Sequence, residues 1–264
     1  MNKKLIFAEI GLNHLGTEAY AKQYLKILLK TSIDGVTFQI KKESFYKNLE
    51  LYYNSKDRSF YKKIREKIFY INLFKKKKFQ NLRLSNNFYK YAARVCKKNK
   101  KLLGFAVADI KKINFLHKCK IDFLKILSDD FNNINLIKKA LRSCAKSILI
   151  STGFSGEKKI KKLFNKIKSK KKIILIHTRF SNTLKENALE NIDFLRKKFK
   201  IKVGFGNHSS NLNIIKLSSK YRPDVVLFYV RGSKKLVHPD HKHAVPLNRV
   251  DSLCKSLRQY DPKR

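Results

Sequence analysis

Tryptophan is absent from this chain, methionine occurs once, and 264 residues hold only nine glycines and four prolines. Acid is scarce too: 19 Asp and Glu stand against 62 Lys and Arg, a formal charge of +43. Such a balance ordinarily calls for nucleic acid or an anionic surface. No zinc-finger spacing, aromatic RNA-binding motif or basic tail accompanies it, so a nucleic-acid partner is not the expectation. The lysines are spread over nearly every helical segment and keep company with Asn, Ile, Phe and Tyr. With little Gly, Pro or Ala, that profile reads as a codon bias toward A/T, and its field would also favour an anionic small substrate. No run of 18 apolar residues occurs, so no membrane span is expected. Met1-Asn2-Lys3-Lys4 leads into a strand too soon for a signal peptide. Cys96, Cys119, Cys144 and Cys254 lack CxxC spacing, which suits a reducing cytoplasmic compartment and predicts small core residues.

What the chain does have is eight short apolar runs, most of them ending in a polar residue. The run at 5–8 leads into Glu9, 35–38 into Gln39, and 123–127 carries Lys125 and stops at Ser128. Those at 147–150, 173–176 and 203–205 end at Ser151-Thr152-Gly153, His177 and Asn207-His208, while 102–107 and 225–230 end mostly apolar. Helically spaced segments separate them. Polar groups at the carboxyl ends of parallel strands are the mark of a (β/α)8 TIM barrel, where they form the site. A length near 250 residues suits one such barrel. Helices are expected near 18–30, 110–118, 132–143, 156–168, 188–198, 210–220 and 248–259, with Ser85 capping another. The segment from about 40 to 84 is too long for an ordinary connection and predicts a long excursion over the mouth after strand 2.

Ala8-Glu9-Ile10-Gly11-Leu12-Asn13-His14-Leu15-Gly16 resembles the opening AEIGxNHxG of the N-acetylneuraminate (sialic acid) synthase family. The likeness continues in order. Phe38-Gln39 resembles that family's KFQ, Lys125-Ile126-Leu127-Ser128 its KIxS, and Leu149 to Gly153 its ILSTG. Leu175-Ile176-His177 resembles LLHC, Val203 to His208 resembles VGxSDH, and Pro239-Asp240-His241-Lys242 resembles GPDHK.

The resemblance implies a phosphoenolpyruvate-dependent transferase of sialic acid and surface carbohydrate biosynthesis, which joins that anion to an N-acylated amino sugar aldehyde. It implies Glu9 as the catalytic carboxylate that orients or deprotonates water. Lys125, Ser128 and Ser151 would bind phosphoenolpyruvate, and Gln39, Asp130 and Asp240 the sugar. His208 matches one of two histidine ligands of a divalent metal, Mn²⁺ or Mg²⁺. The second aligns with Tyr229, so a weakened metal site is expected. The family's lysine before Phe-Gln is Thr37 here, its threonine after strand 3 is Ala106, and the serine and aspartate before its histidine are Gly206 and Asn207. His238, His241 and His243 crowd one loop without a convincing ligand spacing. The chain ends near where the family's barrel ends. One barrel domain over 1–264 is therefore expected, without the family's C-terminal antifreeze-like domain. A homodimer is left open. Two readings stand: the condensing enzyme, or a catalytically impaired homologue that binds a sugar or a partner synthase.

Overall fold

A computed structural model of the chain describes residues 4–47, 82–153, 155–233, 236 and 238–259. Alternation along each strand decides which side chains fill the barrel and which meet the helices. In β1 (Leu5–Gly11), Ile6, Ala8 and Ile10 belong to the outer core beneath the helices. Phe7 points the other way and joins Phe123, Leu149, Ile174, Ile176, Val225 and Leu227 in the barrel interior. Phe7 and Phe123 stack there with ring centroids 4.3 Å apart. Gly104 makes room for them, since a Cβ at that position would lie 2.1 Å from the Phe123 ring. Burying each phenylalanine contributes about 2 kcal/mol.

The strands run in sequence order: β2 (Gly35–Ile40), β3 (Leu102–Val107), β4 (Phe123–Ile126), β5 (Ser147–Ser151), β6 (Ile173–Arg179), β7 (Lys202–Asn207) and β8 (Val225–Arg231). Each pairs in parallel with the next, and β8 closes on β1 with Tyr229 beside Glu9. The expected eight-stranded barrel is therefore present. A short ninth strand, β9 (Val245–Pro246), extends the carboxyl end of β8 through Val230 and Arg231.

The helices between them are α1 (Glu18–Leu28), α2 (Asn86–Lys98), α3 (Lys112–Lys118), α4 (Ile134–Leu141), α5 (Glu157–Asn165), α6 (Leu184–Asn187), α7 (Asn191–Phe199), α8 (Asn213–Leu217) and α9 (Val250–Gln259). Phe88, Tyr89, Ala92 and Cys96 form the buried face of α2, the one-sided spacing of a helix packed on a sheet. Ser85 caps it as expected, accepting from the Phe88 amide at 3.0 Å. The helix expected at 188–198 is present as α7 but starts only at Asn191, because Ala188, in a left-handed conformation (φ +44°), ends the short α6 just before it. Likewise 210–220 becomes α8 followed by a 3₁₀ turn at Ser218–Tyr221. Of the expected excursion, a helical turn at 43–47 and the lead into α2 are described; 48–81 lie outside the described residues. All four cysteines are free. Only Cys96 and Cys254 are core residues. Cys119 is half-buried, and Cys144, in the connection from α4 to β5, is exposed. Among the described residues no helix is long and apolar enough to cross a membrane.

Candidate active site at the carboxyl ends of the strands

One layer above the apolar filling, the inward positions turn polar. Lys125 of β4 reaches across the barrel to donate to the Glu9 carboxylate of β1, with both side chains buried. The other Glu9 oxygen, Oε1, is buried and has no hydrogen-bond partner. The Lys125 ammonium also sits 5.4 Å from the centroid of the Tyr229 ring, within reach of a cation–π attraction. Above this pair opens a cavity of about 350 Å³, lined among others by Gln39, Lys41, Lys125, Ser128, Ser151, His208, Tyr229 and Asp240. A larger basic cleft of about 740 Å³ lies at the amino ends of β3 and β4, around Lys101, Lys120 and Lys146. It holds no buried acid–base pair, so the smaller cavity is the candidate site.

Glycines and amides shape its walls. Gly153, just past β5, has φ +51°, and a Cβ there would come within 2.6 Å of the Ser128 Cβ. Only glycine lets the two strand ends approach so closely without strain. At the end of β1, a Cβ on Gly11 (φ +56°) would lie 3.0 Å from the Tyr229 ring and 3.3 Å from Asp240 Oδ2. Asn13 fastens the loop after β8: its Nδ2 donates to Val230 O at 2.8 Å and its Oδ1 accepts from the Asp240 amide at 3.0 Å. The Tyr24 hydroxyl accepts from the Gly232 amide at 2.7 Å. At the end of β7, Asn207 closes a turn on Ser209, accepting from its amide and donating to its carbonyl. That turn presents His208 to the cavity.

His208 lies among the rings of Phe180, Tyr229 and His243, at centroid separations of 4.6, 5.2 and 5.0 Å. Burial holds its imidazole well below the ordinary range, and the Lys125 and His243 charges push the same way. It is therefore neutral at neutral pH. Among the described residues no three His, Cys, Asp or Glu side chains cluster so as to hold a metal ion. Among the described residues, His208 has one further imidazole beside it, that of His243, and the rings of Phe180 and Tyr229, a poorer set of donors than the two-histidine metal site that the resemblance implies.

The cavity gathers Gln39, Lys125, Ser128, Ser151, His208 and Asp240, with Glu9 beneath. Two expected residues fall elsewhere. His177, expected at the strand-end face, is buried on the outer side of β6, where its Nε2 meets Asn187 O at 2.7 Å. Its neighbours Ile174 and Ile176 take the interior positions, so alternation sends His177 outward. Asp130 is buried in an ion pair with Lys42 at 2.9 Å, and its neighbour Asp129 lines the cavity instead. Sequence reasoning missed Lys41, Thr178, Phe180 and the cavity-facing placement of His243. Lys41 was open to discovery, being a cation two residues beyond Gln39. The three histidines of the last loop separate: His238 meets the Tyr20 hydroxyl at 3.0 Å and stacks on His241, while His243 turns into the cavity.

Comparison with known proteins bears on the family and the fold. The NeuB family model matches residues 29–263. N,N'-diacetyllegionaminic acid synthase of Campylobacter jejuni is 24% identical over 272 residues, covering 98% of this chain and 77% of that protein. An uncharacterized protein of Methanocaldococcus jannaschii is 25% identical over 257 residues, covering 96% and 69%. Among solved structures, N-acetylneuraminic acid synthetase of Leptospira borgpetersenii, in complex with citrate, superposes with a TM-score of 0.79 at 20% identity, over 98% of this chain and 84% of that one. The spore coat polysaccharide biosynthesis protein spsE of Bacillus subtilis gives 0.75 at 17% identity, over 97% and 67%. At these identities the superpositions carry the barrel fold.

Proposed function

The chain belongs to the NeuB family, and on that premise we propose that it condenses phosphoenolpyruvate with an N-acylated amino sugar aldehyde. The products are a nonulosonic acid and phosphate, for surface carbohydrate biosynthesis. The observation that carries this reading is the buried Lys125–Glu9 pair under a cavity that also holds the Ser128 and Ser151 hydroxyls. A buried cation beside two hydroxyls suits a small anion. A carboxylate with one oxygen free suits work on water.

In this reading Lys125, Lys41, Ser128 and Ser151 hold the carboxylate and phosphate of phosphoenolpyruvate. Gln39 and Asp240 hold the sugar. The enol C3 attacks the aldehyde carbon, a C–C bond forms, and the aldehyde oxygen takes up a proton. C2 is left electron-poor. Glu9 orients a water and accepts its proton as the oxygen adds to C2. The tetrahedral adduct then loses its hydroxyl proton as the C2–O bond to phosphate breaks, which leaves a keto group. One water is consumed for each phosphate released, and its two protons are accounted for by the new hydroxyl at the former aldehyde carbon and by the phosphate.

A second reading, a sugar-binding homologue without turnover, rests on the departures at Thr37, Ala106, Gly206 and Tyr229. Gly206 is fixed by packing, since a Cβ there would meet Ile176 at 2.9 Å and Thr178 Oγ1 at 3.2 Å. Phosphate release from phosphoenolpyruvate and N-acetylmannosamine, with and without Mn²⁺, separates the two. Release that requires both substrates supports the synthase. No release under either condition, with the sugar still bound in a calorimetric titration, supports the silent homologue.

A further inference from the structure

The aligned position of the family's second histidine is Tyr229, yet a second imidazole stands in the cavity all the same. His243 comes from the loop between β8 and β9, and its ring lies edge-on to Tyr229 at 4.9 Å and 5.0 Å from His208. Two rings thus fix its plane. Its Nε2 is buried without a hydrogen-bond partner and lies 3.5 Å from Asp240 Oδ1, longer than an ordinary hydrogen bond. The backbone amide of Asp240 is itself anchored on Asn13 Oδ1.

We propose that His243 and Asp240 form a clamp for one hydroxyl of the amino sugar, with His243 Nε2–H donating to that oxygen and Asp240 Oδ1 accepting its proton. The spacing selects this ligand chemistry. A single oxygen can sit within hydrogen-bond distance of two atoms 3.5 Å apart. To satisfy both it must accept from one and donate to the other, as a hydroxyl does and a carbonyl or phosphate oxygen does not. A site built to bond a hydroxyl discriminates strongly against analogues that lack it, because its own buried groups are then left unpaired. His243 is on this account a specificity residue for the acceptor, distinct from the phosphoenolpyruvate-binding groups around Lys125.

The clamp rests on the function proposed above, and its test is a binding experiment so that the two can fail separately. Calorimetric titrations with N-acetylmannosamine and, separately, phosphoenolpyruvate would compare the unaltered protein with His243→Ala and His243→Gln. Expected is a loss of sugar affinity of about tenfold in His243→Ala, with phosphoenolpyruvate affinity unchanged. His243→Gln, whose carboxamide N–H reaches a similar point, should recover most of the loss. One mono-deoxy analogue of the sugar should bind the unaltered protein and His243→Ala equally. Equal sugar affinity in all three proteins, or loss of both ligands together in His243→Ala, overturns the clamp. So does Mn²⁺ binding that disappears in His243→Ala, which would make His243 a metal ligand. Absence of sugar binding by the unaltered protein overturns clamp and synthase alike. Sugar binding without phosphate release defeats the synthase and leaves the clamp standing.

Discussion

Lys125 on β4 and Glu9 on β1, three strands apart around the barrel, meet in its interior as an ion pair with both side chains buried. Two charges withdrawn from water are tolerable only together, and removing one leaves the other unpaired at a cost of about 3–5 kcal/mol. Glu9→Gln should therefore lower the unfolding free energy by that order and abolish phosphate release. The double variant Glu9→Gln/Lys125→Met should regain much of the stability without regaining turnover. Urea unfolding followed by circular dichroism checks the first part and a phosphate assay the second. A Glu9→Gln protein as stable as the parent would show that the pair contributes nothing to the fold.

With Thr37 at the position of the family's lysine, the lysines that line the cavity among the described residues are Lys125 and Lys41. Lys125→Ala should weaken phosphoenolpyruvate binding by about 2–3 kcal/mol, as for a charge-assisted hydrogen bond left unmade. Lys41, half-buried at the rim, should matter less, with Lys41→Ala costing about 1 kcal/mol because water screens it. Calorimetry on the two variants reads both values, and a reversed order would exchange the roles of the two lysines.

Gly153 offers a test of the wall that carries Ser128. Alanine there must hold φ near +51° and must push its Cβ away from the Ser128 Cβ, otherwise 2.6 Å distant. Left-handed backbone costs an alanine about 1–2 kcal/mol, and the displaced Ser128 should raise KM for phosphoenolpyruvate. The sugar KM should change little. If both rise equally, the substitution has disturbed more than the Ser128 side of the cavity.

These residues also show how far the sequence could be read. Apolar runs ending in Glu9, Lys125 and Ser151 located the strand ends, because interior strands of a barrel are continuously apolar until they reach its mouth. Parity was the information left unused. Counting by twos from Ile174 and Ile176 sends Thr178 inward and His177 outward. Other features lay beyond pattern altogether. His243 enters the cavity because Asn13 pins the loop after β8, a contact across 227 residues. Asp130 rather than Asp129 turns away because Lys42 is there to pair with it.

Acid should destabilise this barrel well before its carboxylates are protonated. Burial holds the His14 imidazole down at about 3 and that of His238 at about 4, against an ordinary 6.5. Below 6.5 the unfolded chain binds protons that the folded chain refuses, so stability is fully present above that pH and is lost as pH falls toward 4 and 3. Each such histidine contributes a slope of about 1.4 kcal/mol per pH unit within its window. Urea unfolding at pH 8, 7, 6 and 5 should show a plateau followed by a decline. His14→Asn, which keeps an acceptor for the Gly16 amide now bonded to Nδ1 at 3.0 Å, should flatten that decline. An unchanged slope would place the titrating group elsewhere.

Tyr229 is where this chain departs furthest from the metal chemistry that its family resemblance implies. Its ring lies 5.2 Å from that of His208 and 4.9 Å from that of His243. A phenol is a poorer ligand for a divalent ion than an imidazole, since it must lose its proton to bind well. Tyr229→His would set a third imidazole beside the other two, and three nitrogens are enough to bind a divalent ion with open positions left over. Mn²⁺ affinity should then rise by at least about tenfold, the equivalent of 1.4 kcal/mol, and His208→Ala in the same background should remove the gain. Titration of Mn²⁺ followed by electron paramagnetic resonance reads this directly, without any need for turnover. Tight Mn²⁺ binding by the unaltered protein, lost in His208→Ala, would instead show that groups already present complete a metal site there, and would return His208 to the ligand role that its sequence position implied.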